Sequence, residues 1–250
     1  MSSGSAESAA FCGICRQDGE EGQPLVVVGC SCQGSSGYCH PSCVVKYAKT
    51  KTMAAVENGK LVLENIWLNC SYCGQSWSGE LAATMGDECL TYIISRFICN
   101  TKFTVLALGV KCHGIYLSNR TLEEKDKAAN DVISAINEWC ADSSPMPASI
   151  QFEEYKAHRI LGSLALERDN PASAIEHFVK CKDLIQWCRL DQNDKAYELN
   201  RIQINIARAS SLLPGAKKAS VDDDVLILRN DATWEVVDQC ISFISNPCNS

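Results

Sequence analysis

Apolar residues beyond residue 78 mostly follow the 3.6-residue period of an amphipathic helix. This pattern predicts one helix from 79 to 97 that caps or leaves the segment before it, then a loop or short strands through Leu117. Thr121 and Glu124 have the spacing of a capping box, which predicts a further helix that ends near Cys140. The proline-rich break at 142–147 is interpreted as a hinge between helical pairs.

The segment from Ser149 to Leu213 has a helix–turn–helix pattern. Asn170-Pro171 is suited to begin the second helix, because asparagine caps a helix and proline fits its first turn. The next helix should run from Lys195 to Leu212 and bury one face. The residues expected on that face are Ala196, Leu199, Ile202, Ile206 and Ala209.

The spacing in this region resembles a tetratricopeptide repeat. The residues that carry the resemblance are Leu161, Gly162, Ala174, Phe178 and Cys181. One such repeat cannot bury its apolar face alone, so neighbouring helices should cover it in a short, divergent array. The resemblance implies a groove that binds a protein substrate or a peptide.

The first part of the chain has a different pattern. Residues 1–10 are small and polar and are expected to form a disordered tail. Leu25 to Val28 is a short β-branched strand, and Cys43 to Lys49 has apolar residues at helical spacing.

Composition and charge exclude several classes of function. The net charge of −7 disfavours contact with phosphate backbones, so no nucleic-acid partner is expected. No apolar run is long enough for a membrane anchor. The chain has 16 cysteines but begins without a signal-peptide pattern. A reducing compartment is therefore expected, either cytoplasmic or nuclear.

Eight potential metal ligands fall in four close pairs between residues 12 and 73. The outer two pairs are Cys-x-x-Cys knuckles, whose spacing suits a tetrahedral zinc ion. Eight ligands suffice for two closed zinc sites, which leave no open position for a catalytic water and so disfavour a zinc hydrolase. The pairs are Cys12 and Cys15, Cys30 and Cys32, His40 and Cys43, and Cys70 and Cys73.

The order and spacing of these pairs resemble the RING-CH variant of the RING finger over residues 11–78. Pro24-Leu25, Gly34-Ser35 and the aromatic Tyr47 also lie where that family has similar features. The two-residue gap to Cys43 favours His40 over Cys39 as the fifth ligand. A PHD finger, which reads histone tails with the same ligand order, remains as an alternative, although the seven-residue gap before His40 favours RING-CH.

The resemblance implies that the pairs interleave. The first and third pairs would bind one zinc ion, and the second and fourth pairs would bind the other. It also implies a ubiquitin ligase that docks a ubiquitin-conjugating enzyme and needs no covalent catalytic residue. By position, Ile14, Tyr47 and Trp67 would contact that enzyme, although Ile14 can equally cover the metal and Trp67 can equally belong to the core.

Gly74 favours a second interpretation. Many active RING domains have a cationic residue directly after the last ligand, where this chain has glycine. A non-catalytic zinc-binding scaffold is therefore the alternative to a ligase.

The predicted fold is a small zinc-braced α+β RING-like module followed by an all-α, tetratricopeptide-like region. The expected divisions are a tail at 1–10, the module at 11–78, a helical connector at 79–147 and the repeat-like region at 148–250. His158 and His177 lie on predicted helices without a second ligand at suitable spacing, so they are interpreted as core or surface residues.

Overall fold

A computed structural model describes residues 10–20, 24–27, 30, 32, 37–59, 62–98, 100–142 and 146–213. The expectations for the tail before residue 10, for Val28 and for residues 214–250 lie outside this part of the chain. Two strands, β1 (Val26–Val27) and β2 (Tyr38–Cys39), precede the helices. The helices are α1 (Pro41–Glu57), α2 (Leu63–Trp67), α3 (Gly79–Arg96), α4 (Thr101–Tyr116), α5 (Leu122–Asp142), α6 (Ala148–Glu167), α7 (Pro171–Leu184) and α8 (Gln192–Ser211).

The strands form an antiparallel pair in which Val26 lies opposite Cys39 and Val27 opposite Tyr38. Helix α1 begins directly after β2, with Pro41 in its first turn. It is longer than the sequence pattern predicts, because its buried residues continue to Thr52. The module and the following helices share one apolar core, which contains Trp67 and Leu68 together with Met85 of α3.

The prediction of a loop or short strands between residue 97 and Leu117 is wrong, because α4 occupies most of this segment. This helix has no polar face, since it packs against α3, α5 and α6 as well as α2. Glycines permit the close approach: a Cβ atom at Gly114 would lie 2.4 Å from the carbonyl oxygen of Ala82. Such an element is buried on several sides and lacks the apolar stripe that marks a surface helix.

Three other predicted helix starts are confirmed, whereas α8 begins at Gln192 and not at the predicted Lys195. Helix α3 covers the segment predicted from 79 to 97. Thr121 and Glu124 form the reciprocal capping box, with Glu124 N–H donating to Thr121 Oγ1 and Thr121 N–H donating to Glu124 Oε2. The Asn170 side chain accepts a hydrogen bond from Ser173 N–H at the start of α7.

Helices α6 and α7 pack as the glycine spacing predicts. A Cβ atom at Gly162 would come within 2.7 Å of the Phe178 ring, so this helix crossing requires glycine. Ala174, Phe178 and Cys181 are fully buried in the same core. These contacts support a packed helical pair, but they do not establish tetratricopeptide character.

Helix α8 departs from its predicted face. Ile202 and Ala209 are buried as expected, but the prediction for Ala196 is wrong because that residue is exposed. The buried position is taken by Glu198, which accepts a hydrogen bond from the Tyr155 hydroxyl and pairs with Arg201. Because Glu198 is buried with these partners, the first turns of α8 turn a different side toward the core than the apolar residues indicate. The spacing of apolar residues alone does not reveal this.

A buried ionic network joins the module to the later helices. Glu64 of α2 lies 2.7 Å from Lys156 Nζ of α6 and also pairs with His113 of α4. The same Lys156 Nζ lies 2.9 Å from Glu153 Oε2. Burial alone raises the pKa of Glu64, but the charges of Lys156 and His113 outweigh it and hold the pKa well below its usual range.

Within the described ranges, none of the helices has both the length and the apolar character needed to cross a membrane.

Candidate metal centre

The eight predicted ligands assemble into two clusters. One contains Cys12, Cys15, His40 and Cys43, and the other contains Cys30, Cys32, Cys70 and Cys73. Within each cluster the ligand atoms lie within 4.8 Å of one another. The first and third pairs meet in one cluster and the second and fourth in the other, so the pairs interleave as the resemblance implies.

The distances within the clusters fit tetrahedral zinc. Bond lengths of about 2.3 Å to sulfur and about 2.0 Å to nitrogen require S–N separations of about 3.6 Å and S–S separations of about 3.8 Å. His40 Nδ1 lies 3.4 Å from Cys15 Sγ and 3.8 Å from Cys43 Sγ. Cys32 Sγ and Cys70 Sγ are 3.7 Å apart. The residues therefore fit one zinc ion in each cluster.

His40 has the orientation of a metal ligand. Its Nε2 lies 3.1 Å from the carbonyl oxygen of Asp18 and donates a hydrogen bond to it in the tautomer that leaves Nδ1 free to coordinate. The neighbouring Cys39 is buried outside both clusters, and burial raises the pKa of its thiol to about 12. The geometry thus agrees with the prediction of His40, rather than Cys39, as the ligand.

The two Cys-x-x-Cys knuckles have the same backbone. The N–H group of Arg16 donates to the Cys12 carbonyl, and that of Gly74 donates to the Cys70 carbonyl. Both donor residues have positive φ angles, 66° for Arg16 and 74° for Gly74. Glycine adopts this conformation without strain, and the first knuckle shows that arginine also fits it.

The secondary structure explains how distant pairs meet. The hydrogen bond from Gly13 N–H to the Tyr38 carbonyl joins the first knuckle to β2, immediately before His40. Helix α1 then places Cys43 in its first turn, three positions after His40. The fourth pair follows α2, which the buried Leu63 and Trp67 fix to the core.

Thiol acidity differs within each cluster. Burial raises the pKa of Cys12, but hydrogen bonds from the backbone at Cys15, His40 and Ile14 outweigh it and bring the pKa to about 6. In the same cluster burial raises the pKa of Cys43 to about 11. Zinc binding must therefore displace protons from the less acidic thiols, since thiolate is the coordinating form.

The predicted partner contacts lie in different environments. Ile14, at the tip of the first knuckle, is 42% exposed, and Tyr47 on α1 is 37% exposed. Trp67 has no exposed surface, and its Nε1 donates to Thr52 Oγ1 in the core. Trp67 is therefore not available to line a docking surface, because the core encloses its indole ring.

Tyr72 is an exposed residue that the sequence reasoning missed. It is 76% exposed and stands two residues after Cys70, as Ile14 stands two residues after Cys12. Because the two knuckles share their backbone geometry, this equivalence in spacing was the signal that could have identified Tyr72.

His158 and His177 contact each other across α6 and α7, with Nδ1 atoms 3.1 Å apart. This separation fits one hydrogen bond, in which one imidazole donates and the other accepts. Burial, and then the neighbouring His177 and Lys180, lower the pKa of His158 to about 4. Neither histidine belongs to a metal cluster.

Comparison with known proteins agrees with the ligand geometry. No curated protein and no solved structure matches the chain. The family match covers a quarter of the chain, with both clusters inside it, so it identifies the module and not the helices beyond. Residues 12–73 match the family model of the RING-variant domain.

Proposed function

We propose that this chain is a ubiquitin ligase of the RING-variant type. The observation that carries the proposal is the interleaved pair of zinc clusters in a segment that matches the RING-variant domain. Domains of this kind bind a ubiquitin-conjugating enzyme. The match also favours this function over histone reading by a PHD finger.

The chemistry requires positioning and no covalent step on this chain. The amine of a substrate lysine attacks the thioester carbonyl that joins ubiquitin to the conjugating enzyme. An amide bond forms, the thioester bond breaks, and the enzyme's cysteine leaves as a thiol. Holding the two reactants together supplies the rate enhancement, because a bimolecular encounter becomes effectively unimolecular. The zinc ions act structurally, since each cluster fills the four positions of a tetrahedral ion.

The proposed docking surface is formed by exposed apolar side chains on the module. Ile14 and Tyr72 occupy the tips of the two knuckles, and Tyr47 lies on the exposed side of α1. Large side chains on a rigid, metal-braced backbone lose little conformational freedom on binding, which suits them as contact residues. The helical region would select the substrate.

Autoubiquitination with a panel of conjugating enzymes tests the proposal. The wild-type chain should form ubiquitin chains with at least one enzyme, and Ile14→Ala should reduce the rate about tenfold or more. Val27→Ala is the matched control, because Val27 is an aliphatic residue of the module with 67% exposure and no assigned contact. Absence of ubiquitin chains with zinc-loaded protein, or an unchanged rate in Ile14→Ala, would contradict the ligase.

A non-catalytic scaffold is the second candidate, and Gly74 favours it. Gly74→Arg tests the distinction, because Arg16 shows that this backbone conformation accepts arginine. A ligase limited by its missing cation should transfer ubiquitin faster after this substitution. If neither form transfers ubiquitin while both bind two zinc ions, the scaffold function is supported instead.

A further inference from the structure

Helix α8 carries a second row of apolar side chains, which points away from the core. Tyr197 is 42% exposed, Leu212 is 54% exposed, and Ile204 between them is half-buried. Successive residues of a helix are turned by about 100°, so these three residues share one side of α8. Ile202, which packs in the core, lies about 140° from Tyr197 by the same count. Tyr197, Ile204 and Leu212 form the α8 stripe.

The position of the α8 stripe predicts a further element on the outer side of the helix. Helix α8 packs chiefly on α7 through its other side. A helix at the end of a stacked array normally has a polar outer face, because no neighbour covers that face. Apolar residues on two sides are instead typical of a helix that is packed between two neighbours.

Arginine side chains give the α8 stripe a positive character. Arg208 is exposed and lies between Ile204 and Leu212 on the same side of the helix. The Arg201 guanidinium lies 5.7 Å from the centre of the Tyr197 ring and also pairs with the buried Glu198. A complementary occupant is therefore apolar on one side and carries acidic residues beside that side.

The chain continues from α8 into a segment with this composition. Residues 214–250 lie outside the described part of the chain, and their sequence begins with Pro214 and Gly215, a pair that is typical of a turn. Lys217 and Lys218 follow this pair. Residues 221–245 then contain six acidic residues, and Arg229 is their single basic residue.

The sequence from 232 to 245 has the pattern of an amphipathic helix. Asp231 directly precedes the pattern as a suitable N-cap, and Pro247 follows it as a stop signal. Asp238 lies beside the apolar positions. Those positions recur every three or four residues, at Trp234, Val237, Ile241 and Ile244.

We propose that residues 232–245 form a helix that packs on the α8 stripe of the same chain. Its apolar face covers Tyr197, Ile204 and Leu212, and Asp238 pairs with Arg208. The connection is long enough, because residues 214–230 span up to about 56 Å when extended, whereas α8 is about 30 Å long. The covered stripe is then closed to partner proteins.

Two arguments favour this occupant over a second copy of the chain or a separate partner. A symmetric dimer through the α8 stripe would bring the arginines of one copy against those of the other. A tethered segment also acts at an effective concentration of about 1 mM, without a second molecule. The inference is independent of the proposed ligase function, because it concerns a contact within the chain.

Amide hydrogen exchange of the zinc-loaded full chain tests the proposal. The amides of residues 232–245 should be protected in wild type. Leu212→Glu should speed their exchange about tenfold or more, because it places a negative charge in the α8 stripe. Ile94→Glu is the matched control, since Ile94 is a 51% exposed aliphatic residue on α3, and it should leave this exchange unchanged. Both substitutions are at exposed positions, so the described helices should stay folded.

A charge exchange tests the proposed ion pair. Arg208→Glu should also speed exchange at 232–245, and the additional change Asp238→Arg should restore the protection. Asp223→Arg, outside the proposed helix, should not restore it. If Asp238→Arg fails to restore protection, or Asp223→Arg restores it equally, the contact with Arg208 is overturned.

Other outcomes would overturn the whole proposal. Unprotected amides at 232–245 in wild type would leave the stripe to a different partner. Equal exchange in wild type and Leu212→Glu would show that the segment does not pack on the stripe. Protection that falls when the wild-type protein is diluted would assign the stripe to a second copy of the chain.

Discussion

Cysteines are used in opposite ways in the two parts of the molecule. In the zinc module eight ligands, seven of them cysteines, converge on two points, and the pKa values of their thiols differ, at about 6 for Cys12 and about 11 for Cys43. In the helices Cys112 and Cys181 are fully buried as small apolar residues, and burial raises the pKa of each thiol to about 12. Apart from the buried Cys39, the described cysteines of the module are metal ligands, whereas Cys112 and Cys181 pack in the helical core.

The difference shows what stabilises each region. Buried ligands occupy much of the interior of the module, including Cys12, His40 and Cys70. The free energy of metal binding therefore becomes free energy of folding there. The later helices bury large apolar side chains such as Ile150, Leu164 and Phe178, and removing this apolar surface from water stabilises their folding directly.

Among the tests of this difference between the two regions, removal of zinc should have the largest effect. Excess chelator should unfold the module, because a structural zinc site in a small domain contributes roughly 10–16 kcal/mol of binding free energy. The amides of helices α5 to α8 should stay protected from hydrogen exchange. Native mass spectrometry and amide hydrogen exchange measure both responses.

The matching variant is His40→Ala, which should reduce the zinc content from two ions to one. If the amides of α6 and α7 lost protection from hydrogen exchange together with those of the module, zinc would not stabilise the module selectively. Fewer than two zinc ions in the untreated protein would likewise contradict this prediction.

Disrupting the buried ionic network should have the next largest effect. Lys156→Met should lower the free energy of unfolding by about 3–5 kcal/mol, because it leaves the buried Glu153, and the half-buried Glu64, without their shared cation. Lys49→Met is the control: its ion pair with Glu88 is solvent-accessible and should contribute at most about 1 kcal/mol. Urea unfolding of zinc-loaded protein measures the difference. Equal losses in the two variants would show that the network does not stabilise the junction.

Acid should weaken the helical region through the imidazole pair. The pKa of His158 is lowered from 6.5 to about 4, so the folded state binds fewer protons than the unfolded state in this window. Its contribution to stability is full above about pH 6.5 and is lost as the pH falls toward 4. His158→Gln should reduce the dependence of unfolding on pH in this range.

The comparison of wild type with His158→Gln at each pH cancels the protonation of the zinc ligands, which both proteins share. His177, Lys180, Glu176 and Asp126 complete the charged surroundings of the pair. An identical pH dependence in the two proteins would assign the acid sensitivity to other groups.

The smallest effect is expected at the start of α5. Thr121→Ala removes the side-chain acceptor of the capping box and should cost about 1 kcal/mol. Thr91→Ala, at an exposed position within α3, serves as the control and should change the free energy of unfolding by less than about 0.5 kcal/mol. Thermal unfolding with zinc present measures both. If Thr91→Ala lowered the free energy of unfolding as much as Thr121→Ala, the capping hydrogen bond would not be the cause of the loss.

Features set by a few neighbouring residues could be predicted from the sequence. The Cys-x-x-Cys spacing determines the knuckles, and Thr121 and Asn170 mark helix starts because each satisfies backbone N–H groups locally. The choice of His40 also depends on short spacing. These predictions require no knowledge of which elements pack together.

Features set by tertiary packing could not be predicted in this way. Helix α4 lacks a polar face because it contacts helices on several sides, although Asn100 accepts a capping hydrogen bond from Phe103 N–H and was an overlooked local signal. The burial of Trp67 depends on Thr52 and on Tyr92, whose ring centroid lies 6.0 Å away. The ionic network joins Glu64 to Lys156, 92 positions later in the chain, and no local pattern relates the two.

The core around Trp67 also determines how long a segment must be to fold after transfer into another chain. The match to the RING-variant domain ends at residue 73, but Trp67 contacts Tyr92 of α3, and Leu68 lies against Gly114 of α4. Transplanting residues 12–73 into another chain would carry every zinc ligand and leave behind the helices that cover Trp67 and Leu68. We expect the smallest transferable piece to extend through Tyr116, well beyond the boundary that the family motif suggests.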